Sequence, residues 1–177
     1  MIRNRKTDER AALRAQFWPK ERAWTGENKK GWFRAPRTLP LLLQLLREKS
    51  VSGRQSPAPA YLALWARHFD GGVIEILNEL EMAYDSGYQG SRALRTWRER
   101  MALLETLGFI KSERIANQPY RYVLLLEPAM IVEKLAKQDL VDHEWRSTYE
   151  ARRLQTGEHA PKAPVVAMPR ALKASGK

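Results

Sequence analysis

The stretch "GYQGSRALRTWRERMALLETLGFI", Gly87 to Ile110, decides how this chain is read. Two glycines and a serine lead into one amphipathic run. Leu94, Trp97, Met101 and Leu104 recur at i, i+3, i+7 and i+10, the apolar stripe of a helix packed on a core. Ser91 is a cap residue at the start, and Gly108 is a stop at the end. The spacing therefore predicts a helix over residues 91–107. Its arginines at 92 and 95 lie off the stripe, as does Glu99; Thr96 and Arg98 flank it. The N-terminal half, "SRALRT", is left free to meet a partner.

The neighbouring segments extend this reading on both sides. Upstream, "NELEMAYDSG" predicts a compact helix capped by Asn78, with Leu80, Ala83 and Tyr84 as its apolar side. Gly87 supplies a left-handed position after it, and the turn "SGYQGS" lets two helices meet at a steep angle. "VIEI", Val73 to Ile76, is short and β-branched and follows glycines, which favours a strand. Downstream, "FIKSERI", "ANQP" and "YRYVLLL" read as strand, turn and strand. This predicts a hairpin from Phe109 to Leu126 with its tip at Asn117, Gln118 and Pro119. Tyr120 and Tyr122 alternate around Arg121 and are expected to share a sheet face.

The flanks are mainly helical by pattern. Thr38 to Lys49 predicts a buried helix with Thr38 as cap, and Ser50 to Pro59 predicts a loop. "AYLALWARHF" places Tyr61, Leu64, Trp65 and Phe69 on one face and ends at Asp70-Gly71-Gly72. Pro128 opens a further helix with Ile131, Val132, Leu135 and Ala136 as its face. A last helical run carries Val141, Trp145 and Tyr149. Thr7 to Phe17 is expected to form a helix capped by Thr7 within a basic arm that also holds Trp18, Trp24, Trp32 and Phe33. So many aromatics argue that part of the arm packs. The expected organisation is an arm over residues 1–37, a central domain over 38–127, C-terminal helices over 128–156 and a flexible basic tail over 157–177.

The segment Trp97 to Ile110, "W-x-x-R-M-x-x-L-x-x-L-G-F-I", resembles the junction between recognition helix and wing in bacterial winged helix-turn-helix regulators. There the helix runs through "L-x-x-x-G" into the first wing strand. The resemblance covers residues 73–126. It implies a mainly α fold with a small β-hairpin wing, here with extra N- and C-terminal helices, and a transcriptional regulator or repressor that binds double-stranded DNA. The helical upstream part and the basic tails resemble accessory proteins of plasmids and integrative elements, which implies a mobile-element setting.

The residue chemistry suits that class. Arginine donates to guanine O6 and N7 together and also neutralises phosphate. Arg92 and Arg95 are expected at bases or phosphates, with Ser91, Thr96, Gln89 and Arg98 beside them. In the wing, Lys111, Arg114 and Arg121 flank the tip residues Asn117 and Gln118, which are expected over the backbone or in the minor groove. Trp145 and Tyr149 suit a two-fold interface, so residues 128–156 are expected to pair two subunits. The rival expectation is an interaction subunit of a replication, partition, defence or ribonucleoprotein assembly. Its winged helix would dock on protein, and its basic arms would touch DNA or RNA loosely.

Composition bounds the alternatives. The 177 residues carry a net charge of +11 and a pI near 10.1, which favours a polyanionic partner. The excess sits in the ends: residues 1–37 hold 11 Lys+Arg against 4 Asp+Glu, and residues 38–156 hold 16 against 15. The chain has no cysteine, which excludes disulfides, thiolate metal sites and thiol nucleophiles. His68, His143 and His159 are scattered without ligand spacing. "DGG" and "GYQG" are not followed by Gly-Lys-Ser/Thr, so they do not form a phosphate-cradling loop. Glu79 and Glu81 lie two apart on a helix and do not face each other. Neither catalysis nor a cofactor or metal is expected. No apolar run approaches the length of a membrane span, and the charged N-terminus lacks a signal-peptide core, so a cytoplasmic protein without a membrane partner is expected.

Overall fold

The computed structural model describes residues 5–17, 19–20, 31–53, 55–68 and 71–158. The chain divides into two units, Met1–Trp32 and Phe33–Lys177. Of the first unit, the described part is chiefly one helix, α1 (Arg5–Phe17). It begins two residues before the expected cap, and its side chains from Asp8 to Phe17 are exposed. Trp18, Trp24, Phe69, Asp70 and the tail from residue 159 lie outside the described residues.

The second unit opens with α2 (Leu39–Leu45) and α3 (Lys49–Ser52), followed by α4 (Ala58–Arg67). One helix over Thr38 to Lys49 was expected; the chain instead turns at Leu46 to Glu48. The Leu46 carbonyl accepts from both Ser52 Oγ at 2.9 Å and Ser56 Oγ at 2.7 Å. These two hydroxyls, drawn from the supposed loop, satisfy a buried acceptor and stabilise the corner. Thr38 is not a side-chain cap either. Its Oγ1 donates to Glu158 at 3.1 Å, which ties the start of the unit to its end.

Next come β1 (Val73–Glu75), α5 (Glu79–Asp85), α6 (Ala93–Leu107), β2 (Ile110–Ile115) and β3 (Gln118–Leu125). The strands form one antiparallel sheet in the order β1-β3-β2, so the short first strand joins the hairpin as a third member. Asn78 caps α5 as its sequence implies, its side chain accepting from the amides of Leu80 and Glu81. The buried side of α5 is Met82 and Ala83, whereas Leu80 and Tyr84 face solvent. The expected apolar side is thus wrong for Leu80 and Tyr84, because seven residues are too few for the helical period to fix the rotation. Gly87 takes φ +78°, and Tyr88 N–H returns to the Ala83 carbonyl at 2.9 Å, which closes α5.

The hairpin is tighter than its sequence suggests. Its turn is Ala116–Asn117, with Ala116 at φ +51°, and Gln118 and Pro119 already belong to β3. Between the pairs Glu113↔Tyr122 and Ile115↔Gln118, three residues of β3 face the single Arg114 of β2. Pro119 lacks an amide to donate and fits this bulge. The irregularity breaks the alternation, so Tyr120 is buried and Tyr122 exposed rather than both on one face.

Finally α7 (Pro128–Lys137) and α8 (His143–Thr156) return to the same core. Ile131, Val132 and Leu135 are buried as expected. Trp145 and Tyr149 are buried within this chain and stack with centroids 5.1 Å apart. They therefore offer no ring face to a second copy, and the argument for pairing through them falls. Among the described residues there are eight helices and one three-stranded sheet. Among the described residues, no helix is long and apolar enough to cross a membrane.

Candidate nucleic-acid interface

The site is built on α6. Trp97, Met101 and Leu104 are fully buried, and Ala93 and Leu107 complete the inner face. Leu94, expected in the stripe, is only half-buried and lines the outer side. Trp97 meets Tyr120 of β3 edge-on at 5.5 Å, which fixes the helix against the sheet. This rotation leaves Arg92, Arg95, Glu99, Ala102 and Thr106 as the exposed row. An open depression of about 510 Å³ lies along it, lined by Ser91, Leu94, Arg95, Arg98, Glu99 and Ala102.

The hairpin runs back along the helix. Ser112 Oγ donates to Glu105 at 2.7 Å, and Tyr120 Oη donates to the Arg98 carbonyl at 3.4 Å. The hairpin thus starts beside the C-terminal turns of α6 and proceeds toward its middle. Burial raises the Tyr120 phenol above its ordinary pKa, so it remains a donor.

Each predicted residue can now be placed. Gln89 and Ser91 are exposed in the turn before α6. Ser91 is not the cap: the helix starts two residues later, and Arg92 holds the capping position without a side-chain bond. Arg92 is exposed, and Thr96 is half-buried. Arg95 is 81% exposed, with its Nε donating to Glu99 Oε1 at 3.0 Å. Arg98 points the other way. Its Nε donates to Glu79 Oε2 at 2.7 Å, and a second nitrogen of the same guanidinium also reaches that oxygen. Glu79 is only 4% exposed, so Arg98 is committed to holding α5 on α6.

In the hairpin, Lys111, Arg114 and Asn117 are exposed. Lys111 stands opposite Leu124 on the outer sheet face rather than at the tip. Arg121 is half-buried and donates to Glu75 at 2.7 Å. Gln118 donates to the Leu77 carbonyl at 3.1 Å, bracing the hairpin against the loop before α5. Among the described residues, Arg92, Lys111 and Arg114 carry no ion pair, whereas Arg98 and Arg121 are neutralised by glutamates from outside the segment. The positive face is therefore narrower than a count of basic residues implies.

Several contributing residues escaped the sequence reading. Arg100, 14% exposed, bonds Gln55 of the α3–α4 connection and lies 3.9 Å from Glu99 Oε2. Arg67 of α4 donates to Asp85 at 2.9 Å and also reaches Glu81, which locks α4 to α5 and raises the arginine's pKa. The Arg95–Glu99 spacing of four was visible in the sequence; the partners Glu79, Glu75 and Gln55 lie on other elements and left no local signal. Among the described residues, no group of three or more His, Asp and Glu side chains is placed to hold a metal. Compared with protein-family models, with curated proteins and with solved structures, the chain matches none of them.

Proposed function

We propose that residues 58–126 form a winged helix-turn-helix and that the protein binds double-stranded DNA without catalysis, as a transcriptional regulator. The observation that carries this reading is the element order helix, strand, helix, glycine turn, helix, hairpin, together with the sheet order β1-β3-β2. In such an arrangement the exposed row of α6 enters the major groove and the hairpin lies along the flanking backbone. Arg92 and Arg95 are the base or phosphate readers; Lys111 and Arg114 contact phosphate. Arg98 and Arg121 shape the unit and are left out of the contact set.

The charge placed on α6 supports the reading. Its first turn carries no acid, as in α2, α3, α4 and α7, but it holds Arg95, with Arg92 before it at the capping position. Cations near a helix start oppose the macrodipole, so arginines there favour an anionic partner over helix stability.

The test is a fluorescence-anisotropy titration at two salt concentrations. One probe is the duplex upstream of the protein's own gene, and the other is a shuffled duplex of equal length. A sequence reader prefers the native duplex by about a thousandfold and keeps the ratio as salt rises. Equal binding that disappears with salt refutes sequence reading and leaves general electrostatics.

One observation favours a second reading, an interaction subunit. Leu77, Leu80 and Tyr84 form an exposed apolar row at and before α5, beside the proposed groove-facing helix. A row of this kind suits protein docking. Co-purification of a stoichiometric partner that is lost in Leu80→Ser would support it.

A further inference from the structure

We infer that Glu99 is a positioning residue that aims Arg95 at a guanine; this rests on the DNA-binding reading above. The Arg95–Glu99 pair is poorly suited to stabilising its helix. Arginine precedes glutamate, the less favourable order for an i, i+4 pair. Arg95 stands in the first turn, where a cation opposes the helix dipole. Its side chain is 81% exposed, where water screens the attraction.

The geometry gives the pair a different use. Glu99 Oε1 holds Nε of Arg95 at 3.0 Å, which occupies the Nε of the guanidinium and leaves its two terminal nitrogens without a hydrogen bond among the described residues. Those nitrogens form the end-on fork that matches O6 and N7 of guanine. Glu99 also has a second cation near it. Its other oxygen faces Arg100 Nη1 at 3.9 Å, and Arg100 is anchored to Gln55. A line of contacts thus runs from the α3–α4 connection through Arg100 and Glu99 to Arg95, which biases the exposed fork toward one orientation. An unbraced arginine would have to be ordered on binding, at a cost in affinity for the base it reads. The carboxylate also sits in the middle of the exposed row, where it repels phosphate and weakens binding to every sequence alike. That penalty is consistent with a role in selectivity.

The experiment is selection from randomised duplexes by the full-length protein, comparing wild type, Glu99→Ala and Glu99→Gln, with thermal melting of each. Wild type is expected to prefer guanine at one position that Arg95→Ala erases. In Glu99→Ala that preference falls about tenfold, other positions keep theirs, and affinity for shuffled DNA rises. Glu99→Gln retains an oxygen acceptor and keeps most of the preference. Melting temperatures stay together. If wild type selects and Glu99→Ala keeps the full guanine preference, or loses all positions equally, the positioning inference is overturned while DNA reading stands. If wild type binds without preference at any position, the sequence-reading proposal fails in the wild-type arm itself, and this inference falls with it.

Discussion

Glu79 and Arg98, nineteen residues apart, join the two helices on either side of the glycine turn. The carboxylate is nearly sealed from water, while the guanidinium remains 40% exposed. Glu79 also receives the Tyr120 amide at 3.4 Å, so one side chain gathers α5, α6 and β3. This asymmetry orders two substitutions. Arg98→Ala strands a buried carboxylate and should cost about 2–3 kcal/mol. Glu79→Gln leaves a guanidinium that water can reach and should cost less. Urea denaturation of both variants checks the order. If Arg98→Ala were instead stable but weak on DNA, Arg98 would belong to the contact set.

Arg92 and Arg95 are surface residues, so replacing both by Ala should change stability by less than about 1 kcal/mol. Discrimination between native and shuffled duplexes should collapse. Lys111→Ala and Arg114→Ala should act differently, weakening all sequences alike and lowering the salt slope by about one each. Titrations over a salt series separate the two behaviours.

Gly87 holds φ +78°, and a Cβ built there meets nothing within 4 Å. Any penalty for Gly87→Ala is therefore conformational, about 1–2 kcal/mol. Gly87→Asn should recover part of it, because Asn tolerates the left-handed region better. Denaturation midpoints of the pair, read at unchanged slope, measure this directly.

Burial pushes the Tyr149 phenol up to about 12, from an ordinary value of 10.0, and raises Tyr61 further. In the unfolded chain both ionise near 10, so above that pH the unfolded state releases protons that the folded state retains. The stability linked to these groups is complete below pH 10 and is lost as pH rises through about 12. Tyrosinate absorbance should show a late fraction whose appearance coincides with loss of helical circular dichroism. Independent ionisation of all six tyrosines before unfolding would contradict the buried placement.

Much of this fold is legible from periodicity. The stripes of α4, α6 and α7 announce their inner faces because each is long enough for the helical period to act. Asn78 and Gly108 mark their ends through chemistry confined to a few neighbouring residues. The rest depends on distant partners. Nothing near Arg98 reveals Glu79, and nothing in Trp145 or Tyr149 tells a chain's own core from a partner's surface. Ser52 and Ser56 read as loop residues until the Leu46 carbonyl they share is seen. The candidate site follows the same division: its helix was evident, while which arginines remain free was decided by tertiary pairing.

The bulge at Pro119–Arg121 also bears on colloidal behaviour. A three-stranded sheet leaves two open edges, and an open edge is a template for joining strands from other molecules. Here β1 offers only three residues. β2 carries Lys111, Glu113 and Arg114 and faces the irregular pairing. Neither edge is long, flat and apolar. The same distortion that turns Tyr120 inward therefore discourages ribbon-like self-association, so the hairpin can project without becoming a seed for aggregation.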